Sequence, residues 1–371
     1  MEVFSIVILL FSFLLLLSIG TPVAWSIIIS SLFTLLVSVP FLPALTTISQ
    51  RMATGIDSFA LLAIPFFILS GELMNKGGVA HRLVAFAKAL VGFLPGGLAL
   101  INVISAMLMG SVAGSAMASA SAMGSILGPE MEKEGYSKGF GVAINITSAT
   151  TGLVIPPSNI LIVYSLASGG ASIAALFLAG YIPGILTGLF LMAVAMIWAK
   201  KKNFKTGKRA PLKTVFGSFV RAFPSLMLLF VVIGGIVSGV FTATEASAIA
   251  VIYTLVLGFI YKEITFKTLP TILLKSSTTT AIVMFLIGAS MSMSWVLSYE
   301  NIPEMISSGI LSLSDNKIVI LLLINFTLLF VGIFMDMTPA VLIFTPIFLP
   351  IVTQLGIDPV HFGIIMILNL C

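Results

Sequence analysis

Charge, cysteine and histidine are all scarce in this sequence. Asp, Glu, Lys and Arg make up 8% of its 371 residues, while 59% are hydrophobic. Soluble domains carry about a quarter charged residues, so this composition places the chain in a bilayer. The single cysteine, Cys371, excludes a disulfide framework, and with only two histidines there is no spaced Cys/His set for zinc. No GxxxxGK[ST] loop occurs, so the chain does not hydrolyse ATP through a Walker motif. No GxSxG elbow occurs, and His81 and His361 fall at the edges of apolar runs, which excludes an intramembrane Ser/His hydrolase. No Lys or Arg precedes the first apolar run, so the basic start of a cleaved secretory signal is absent and the segment reads as a retained helix. The formal charge of +5 comes from basic residues gathered between apolar runs. That is the pattern of membrane-protein loops and not of a nucleic-acid site.

What is present is a series of apolar runs. Crossing helices of about 20 residues are expected near 3–20, 23–39, 56–74, 138–169, 172–199, 215–240, 243–261, 275–298 and from 360 onward. Two further runs, 97–129 and 317–354, are too long for one crossing and are interrupted at Gly110–Ser115 and at Met335–Pro339. They read as re-entrant helical hairpins, tolerated where protein or a cavity satisfies the turning backbone. The run Lys200, Lys201, Lys202, Lys205, Lys208, Arg209 and Lys213 marks one loop as cytoplasmic. Alternating sides from there places all but Arg51 and Lys317 of the 18 Lys and Arg residues inside, with Glu300, Glu304 and Asp315 outside. The N-terminus comes out periplasmic.

An internal repeat appears at an offset of about 222 residues. Leu100-Ile101-Asn102 recurs as Leu323-Ile324-Asn325, Gly110 as Gly332, Pro129 as Pro350 and Gly135 as Gly356. An odd number of crossings between the copies inverts the second, a design common in secondary transporters. The organisation expected is an all-α polytopic protein. Scaffold helices occupy 1–55, a first inverted repeat 56–171 with hairpin 97–129 and interrupted helix 138–169, connecting helices 172–262, and a second repeat 263–371 with hairpin 317–354. By comparison with the first copy, about fifty residues of the second are expected beyond Asn369-Leu370-Cys371.

The strongest candidate site is Val154 to Asn159. Pro156 and Pro157 remove two backbone donors and break a helix inside an apolar segment. The break leaves carbonyls and partial negative charge on one helix end, suited to Na⁺, and N–H groups and partial positive charge on the other, starting near Ser158, suited to a carboxylate. Ser111, Gly114 and Ser115 at the first hairpin tip approach this break, so Na⁺ is expected near Gly114, Ser115, Val154, Ser158 and Asn159. Ser119, Ser121 and Ser125 read as helix packing. Asn145 either lends an oxygen to an ion or bonds a neighbouring helix. Asp336 is an acid well inside an apolar run, which marks it as functional. Asp336-Met337-Thr338-Pro339 also reads as a helix start with Thr338 as cap and Pro339 at the first helical position. Glu245 fits a capping box with Thr242. The apolar segments hold no chain of acids or histidines for a proton relay, so Na⁺ is preferred to H⁺ as coupling ion.

These motifs resemble one family. The stretches Ile56 to Met74, Gly110 to Ile126, Ile155 to Asn159, Gly239 to Ser247 and Met335 to Ala340 are similar to the large, DctM-like permease subunit of tripartite ATP-independent periplasmic (TRAP) transporters. The resemblance implies an elevator-type transporter in the bacterial inner membrane, with Na⁺ as coupling ion and no other cofactor. It implies a small four-helix membrane subunit (DctQ-like) and a periplasmic solute-binding protein (DctP-like) as partners. The substrate implied is a small organic anion such as a C4-dicarboxylate, a sialic acid or another carboxylate. Ion and substrate contacts would fall on Ser111 to Ser115, Pro156 to Asn159 and Asp336 to Pro339. A self-sufficient Na⁺/anion symporter of the same superfamily is the nearest alternative, and an ion channel the next.

Overall fold

The fold is described from a computed structural model covering residues 2–202, 204, 206–207, 209–313 and 316–371. Lys205 and Lys208 of the basic run and Asp315 of the acidic loop lie outside the described residues. Every regular element among those described is helical. In chain order they are α1 (Glu2–Ser18), α2 (Val23–Leu35), α3 (Phe41–Gly55), α4 (Ala63–Lys76), α5 (Val79–Val91), α6 (Gly97–Ala113), α7 (Ala116–Lys133), α8 (Lys138–Val154) and α9 (Asn159–Ala167). They continue with α10 (Ile173–Lys201), α11 (Leu212–Val237), α12 (Ala243–Ile260), α13 (Leu269–Tyr299), α14 (Ile302–Leu313), α15 (Lys317–Phe334), α16 (Met337–Gln354) and α17 (Pro359–Leu370). A 3₁₀ turn, Phe59–Leu62, leads into α4.

Among the described residues, seven helical segments are long and apolar enough to cross a membrane, or eight if the bent pair α8 and α9 is one span. At 18 residues each, α15 and α16 are about 27 Å long, so length alone allows each to cross. The segment expected over 23–39 is helical only to Leu35, a helix of 13 residues followed by a turn. Pro40 then opens α3, which the apolar runs did not reveal: the exposed Thr46, Ser49, Gln50 and Arg51 interrupt the run, while Ala44 and Ile48 are buried.

The chain divides into two compact units. The first comprises residues up to Leu61, Val163–Ser172 and Thr278–Leu370. Its core includes Leu35, Ala44, Ile48 and Val296, where α2, α3 and α13 meet. The Glu300 carboxylate accepts from Ser5 Oγ (2.7 Å) and Ser38 Oγ (2.6 Å), tying α1 and the turn after α2 to the end of α13. The Tyr164 hydroxyl donates to the Pro359 carbonyl at 2.6 Å, and Gly363 lies so close to the same ring that a Cβ there would collide with it.

The second unit comprises Leu62–Ile162 and Ile173–Ser277. Here α4 packs on α12, α6 on α8, α7 on both, and α10 on α6 and α8. Its core gathers Ala99, Leu100, Val103, Met131, Ile144 and Ala195 around Tyr136, whose ring lies 4.1 Å from that of Phe204. The Thr242 and Glu245 capping box is present: Thr242 N–H donates to Glu245 Oε2 (2.8 Å) and Glu245 N–H to Thr242 Oγ1 (3.2 Å). Glu245 is therefore accounted for by the start of α12.

Helix boundaries recur 221 residues apart: α7 and α16 begin at Ala116 and Met337 and end at Lys133 and Gln354, and α8 and α17 begin at Lys138 and Pro359. Gly135 and Gly356 turn the chain with φ of +86° and +72°, a conformation glycine adopts without strain.

Candidate functional site

Within the second unit, α6 ends at Gly114, whose φ of +59° turns the chain and whose N–H donates to the Gly110 carbonyl at 2.9 Å. Ser115 is extended and caps α7, its hydroxyl accepting from Ala118 N–H at 3.3 Å. A turn of two residues thus joins the helices. The Ser119 hydroxyl donates to the Ala106 carbonyl (3.2 Å) across the fold, so α7 doubles back on α6 as a hairpin. Ser119 is a packing residue, as expected. The Ser111 hydroxyl is buried and bonds the Leu108 carbonyl of its own helix at 3.0 Å.

The helix running towards the two prolines ends at Val154, with Ile155 extended, and the chain resumes as α9 at Asn159, one residue later than expected; the two helices are bent by 53°. Residues 151–158 are all buried. Continuing α8 would require N–H donors at positions 156 and 157 for the Gly152 and Leu153 carbonyls, and proline has none. Two buried side-chain atoms here lack hydrogen-bond partners, Ser158 Oγ and Asn159 Oδ1. A buried polar atom without a partner costs about 1–3 kcal/mol, so this clustering marks a place where a ligand can supply what the fold does not.

The hairpin tip reaches the break. A Cβ built on Gly114 would stand 2.8 Å from Asn159 Nδ2, so the missing side chain gives the amide its room. Below the tip, α6 and α8 cross at Gly110 and Gly152, where a Cβ on Gly152 would lie 2.6 Å from Gly110 Cα. Of the two readings of Asn145, the bond to a neighbouring helix is present: its Nδ2 donates to the Ala120 carbonyl at 2.8 Å, while its Oδ1 is buried without a partner. Gly114 is thus brought against Asn159, with Ser115 next to it in the turn and Pro156, Pro157 and Ser158 preceding Asn159 in the break, while Asn145 sits more than two turns earlier on α8.

Two residues that meet the break, Gly180 and Gly184, were not singled out from sequence. Gly180, Gly184 and Gly188 form a stripe on α10. A Cβ on Gly180 would meet the Val154 carbonyl oxygen at 2.5 Å, one on Gly184 would meet Ile155 Cγ1 at 2.6 Å, and Gly188 faces Met107. The spacing of small residues every fourth position was the available signal.

In the first unit, α15 and α16 are separated by Met335 and Asp336, both extended. The cap of α16 is Asp336 and not Thr338, and the first helical residue is Met337, which leaves Thr338 and Pro339 at the second and third helical positions. Pro339 is still within the four initial positions whose N–H groups have no helical acceptor, so its missing donor costs no helix bond. The Asp336 carboxylate makes no capping hydrogen bond and is exposed, and Pro339 is buried. Asp336 stands 221 residues after Ser115, and each is the N-cap at its interruption. A second parallel joins the helices behind these caps. Ser148 Oγ donates to Asn102 Oδ1 (3.2 Å) between α8 and α6, and Asn369 Nδ2 donates to Asn325 Oδ1 (2.7 Å) between α17 and α15.

Comparisons with known proteins agree with this architecture. The chain is 56% identical over 368 residues to the uncharacterized protein YgiK of Salmonella typhimurium, covering 99% of this chain and 85% of that protein. It is 38% identical over 362 residues to the sialic acid TRAP transporter large permease protein SiaM of Vibrio cholerae, covering 97% and 84%. The fold is similar to that of the YdaH transporter of Alcanivorax borkumensis, with a TM-score of 0.60 at 15% identity over 89% of this chain and 76% of that one. Residues 10–371 match the family described as the DctM component of the tripartite ATP-independent periplasmic transporter. The chain is a multi-pass membrane protein that belongs to the DctM family of TRAP transporter large permeases, a transporter subunit and not an enzyme.

Proposed function

We propose that this chain carries a small organic anion, most simply a carboxylate, across the bacterial inner membrane by Na⁺-coupled symport, with the coupling ion held at the interruption between α8 and α9. The observation that carries this reading is the pair of unpartnered oxygens, Ser158 Oγ and Asn159 Oδ1, at a helix end whose Gly152 and Leu153 carbonyls meet prolines where the next helical donors would stand, with Asn159 against the Gly114 turn. All are neutral oxygen ligands, the set a hard monovalent cation accepts, and the carbonyl end of α8 adds partial negative charge. The start of α9 offers N–H groups to an anion. Asp336, Thr338 and Pro339 form the corresponding interruption of the second repeat, a reading that rests on the recurrence of helix boundaries and caps 221 residues apart.

In this account 97–129 and 317–354 are re-entrant hairpins of two inverted repeats, 56–171 and 263–371, that move as an elevator against scaffold helices. The N-terminus is periplasmic. The partners are a small DctQ-like membrane subunit and a DctP-like periplasmic binding protein, in keeping with the tripartite family. Sialic acid, the substrate named for the Vibrio relative, is one member of the anion class.

The test is uptake of radiolabelled carboxylates into proteoliposomes holding the full-length protein with its small subunit, with the binding protein added outside. Uptake requiring both an inward Na⁺ gradient and the binding protein is expected. Na⁺-driven uptake without the binding protein would instead make the chain a self-sufficient symporter, and flux independent of any gradient would make it a channel.

A further inference from the structure

A groove of about 1130 Å³ opens in the second unit between α5 and α11, away from the break between α8 and α9. Five Lys and Arg side chains line it, Lys76, Arg82 and Lys88 on one side and Lys213 and Arg221 on the other, together with His81. A single carboxylate, Glu263, faces them. Two of the cations are already engaged. Lys88 pairs with Glu130 at 3.1 Å, and Arg82 donates to the Gly78 carbonyl at 2.9 Å with its guanidinium 3.6 Å above the Tyr261 ring. Lys76, Lys213 and Arg221 make no hydrogen bond or ion pair among the described residues.

The position of Arg221 gives the groove its meaning. It is nine residues beyond Leu212, the start of α11, and so about 14 Å along the helix axis. Its guanidinium is exposed and unpaired among the described residues, and so is open to an anion.

The two faces of α11 then identify the anion. Lys213, Gly217 and Arg221 lie on the groove side at successive turns. Beside them Phe216, Val220 and Phe223 form an exposed apolar stripe at the next helical register. The ring of Phe86 on α5 packs tilted against that of Phe219 on α11, with centroids 5.7 Å apart. A ligand that uses both faces carries a phosphate on one end and hydrocarbon on the other.

We propose that this groove binds the headgroup of an anionic phospholipid, with its phosphate on Lys213 and Arg221 and its acyl chains along Phe216, Val220 and Phe223. Basic pockets between transmembrane helices recognise such headgroups by charge, and the guanidinium of Arg221 offers paired donors to a phosphodiester. Free phosphate shares the headgroup chemistry but gains nothing from the apolar stripe.

The test is a titration of the delipidated full-length protein in detergent with dioctanoyl phosphatidylglycerol, read by native mass spectrometry. Saturable binding is expected, at least tenfold tighter than for dioctanoyl phosphatidylcholine. The double variant Lys213→Gln/Arg221→Gln should bind phosphatidylglycerol at least tenfold more weakly, while Lys200→Gln, outside the groove, should bind as the parent does. A large excess of inorganic phosphate should leave the lipid bound. Equal binding of both lipids, undiminished binding by the double variant, or displacement of the lipid by equimolar inorganic phosphate would each overturn the proposal. Should the double variant fail to fold, the charge-retaining pair Lys213→Arg/Arg221→Lys and the parent protein's competition with phosphate still decide it: loss of binding in the charge-retaining pair would also count against it.

Discussion

Gly114 and Asn159 face each other across the hairpin turn and the helix break, so closely that a methyl group on Gly114 would stand 2.8 Å from the Asn159 amide nitrogen. Gly114→Ala therefore acts twice. It places a side chain in the left-handed region, at about 1–2 kcal/mol, and it pushes the amide that presents Asn159 Oδ1. Na⁺-driven uptake should fall at least tenfold while membrane expression, followed by immunoblot, stays near that of the parent. Unchanged uptake would show that the turn does not position Asn159.

Ser158 gives a sharper contrast because its buried hydroxyl oxygen lacks a partner in the fold. Ser158→Ala removes an unsatisfied group whose burial costs about 1–3 kcal/mol, so stability without Na⁺ should stay level or rise. The Na⁺ concentration for half-maximal uptake should rise at least tenfold. A melting temperature that falls together with activity would make the serine structural instead.

The glycine crossings should separate cleanly from glycines in open space. Gly152→Ala forces its Cβ to within 2.6 Å of Gly110 Cα and should destabilise by about 1–3 kcal/mol or more through overpacking. Gly234, in α11, has nothing within 4 Å of the place a methyl group would occupy, so Gly234→Ala should stabilise by about 0.5–1 kcal/mol. Thermal unfolding of the two purified variants, followed by intrinsic fluorescence, measures both signs.

Much of this geometry was legible from local chemistry. Consecutive prolines at Pro156 and Pro157 dictate a break wherever they fall in a helix, and a glycine followed by a serine cap at Gly114-Ser115 dictates a turn. The repeat was legible because turns at Gly135 and Gly356 require the same residue. Reading failed where two answers were chemically equivalent or where the signal was a contact. Asp336 and Thr338 are both cap formers two positions apart, and only the backbone distinguishes them. The α10 glycines show their purpose only once Val154 and Ile155 are seen against them. The apolar run of α3 is interrupted by polar residues, which hides its buried positions Ala44 and Ile48.

The paired asparagines test the repeat. Asn325 and Asn369 link α15 to α17 much as Asn102 and Ser148 link α6 to α8. Interhelical bonds of this kind contribute about 0.6 kcal/mol and up to about 1.7 in membranes. Double-mutant cycles with Asn325→Leu/Asn369→Leu and Asn102→Leu/Ser148→Ala, measured by unfolding in detergent, should give coupling energies of the same sign and similar size. Coupling in one pair only would break the equivalence of the two interruptions.

Whether the interruption between α8 and α9 holds the coupling ion is decided by equilibrium binding of ²²Na⁺ to the purified full-length protein. Saturable binding is expected in the parent, with at least a tenfold loss of affinity in both Ser158→Ala and Asn159→Ala. No change is expected in Ser125→Ala, whose hydroxyl bonds only the Ala122 carbonyl of its own helix. Parent-like affinity in both Ser158→Ala and Asn159→Ala would contradict this assignment and place the ion elsewhere.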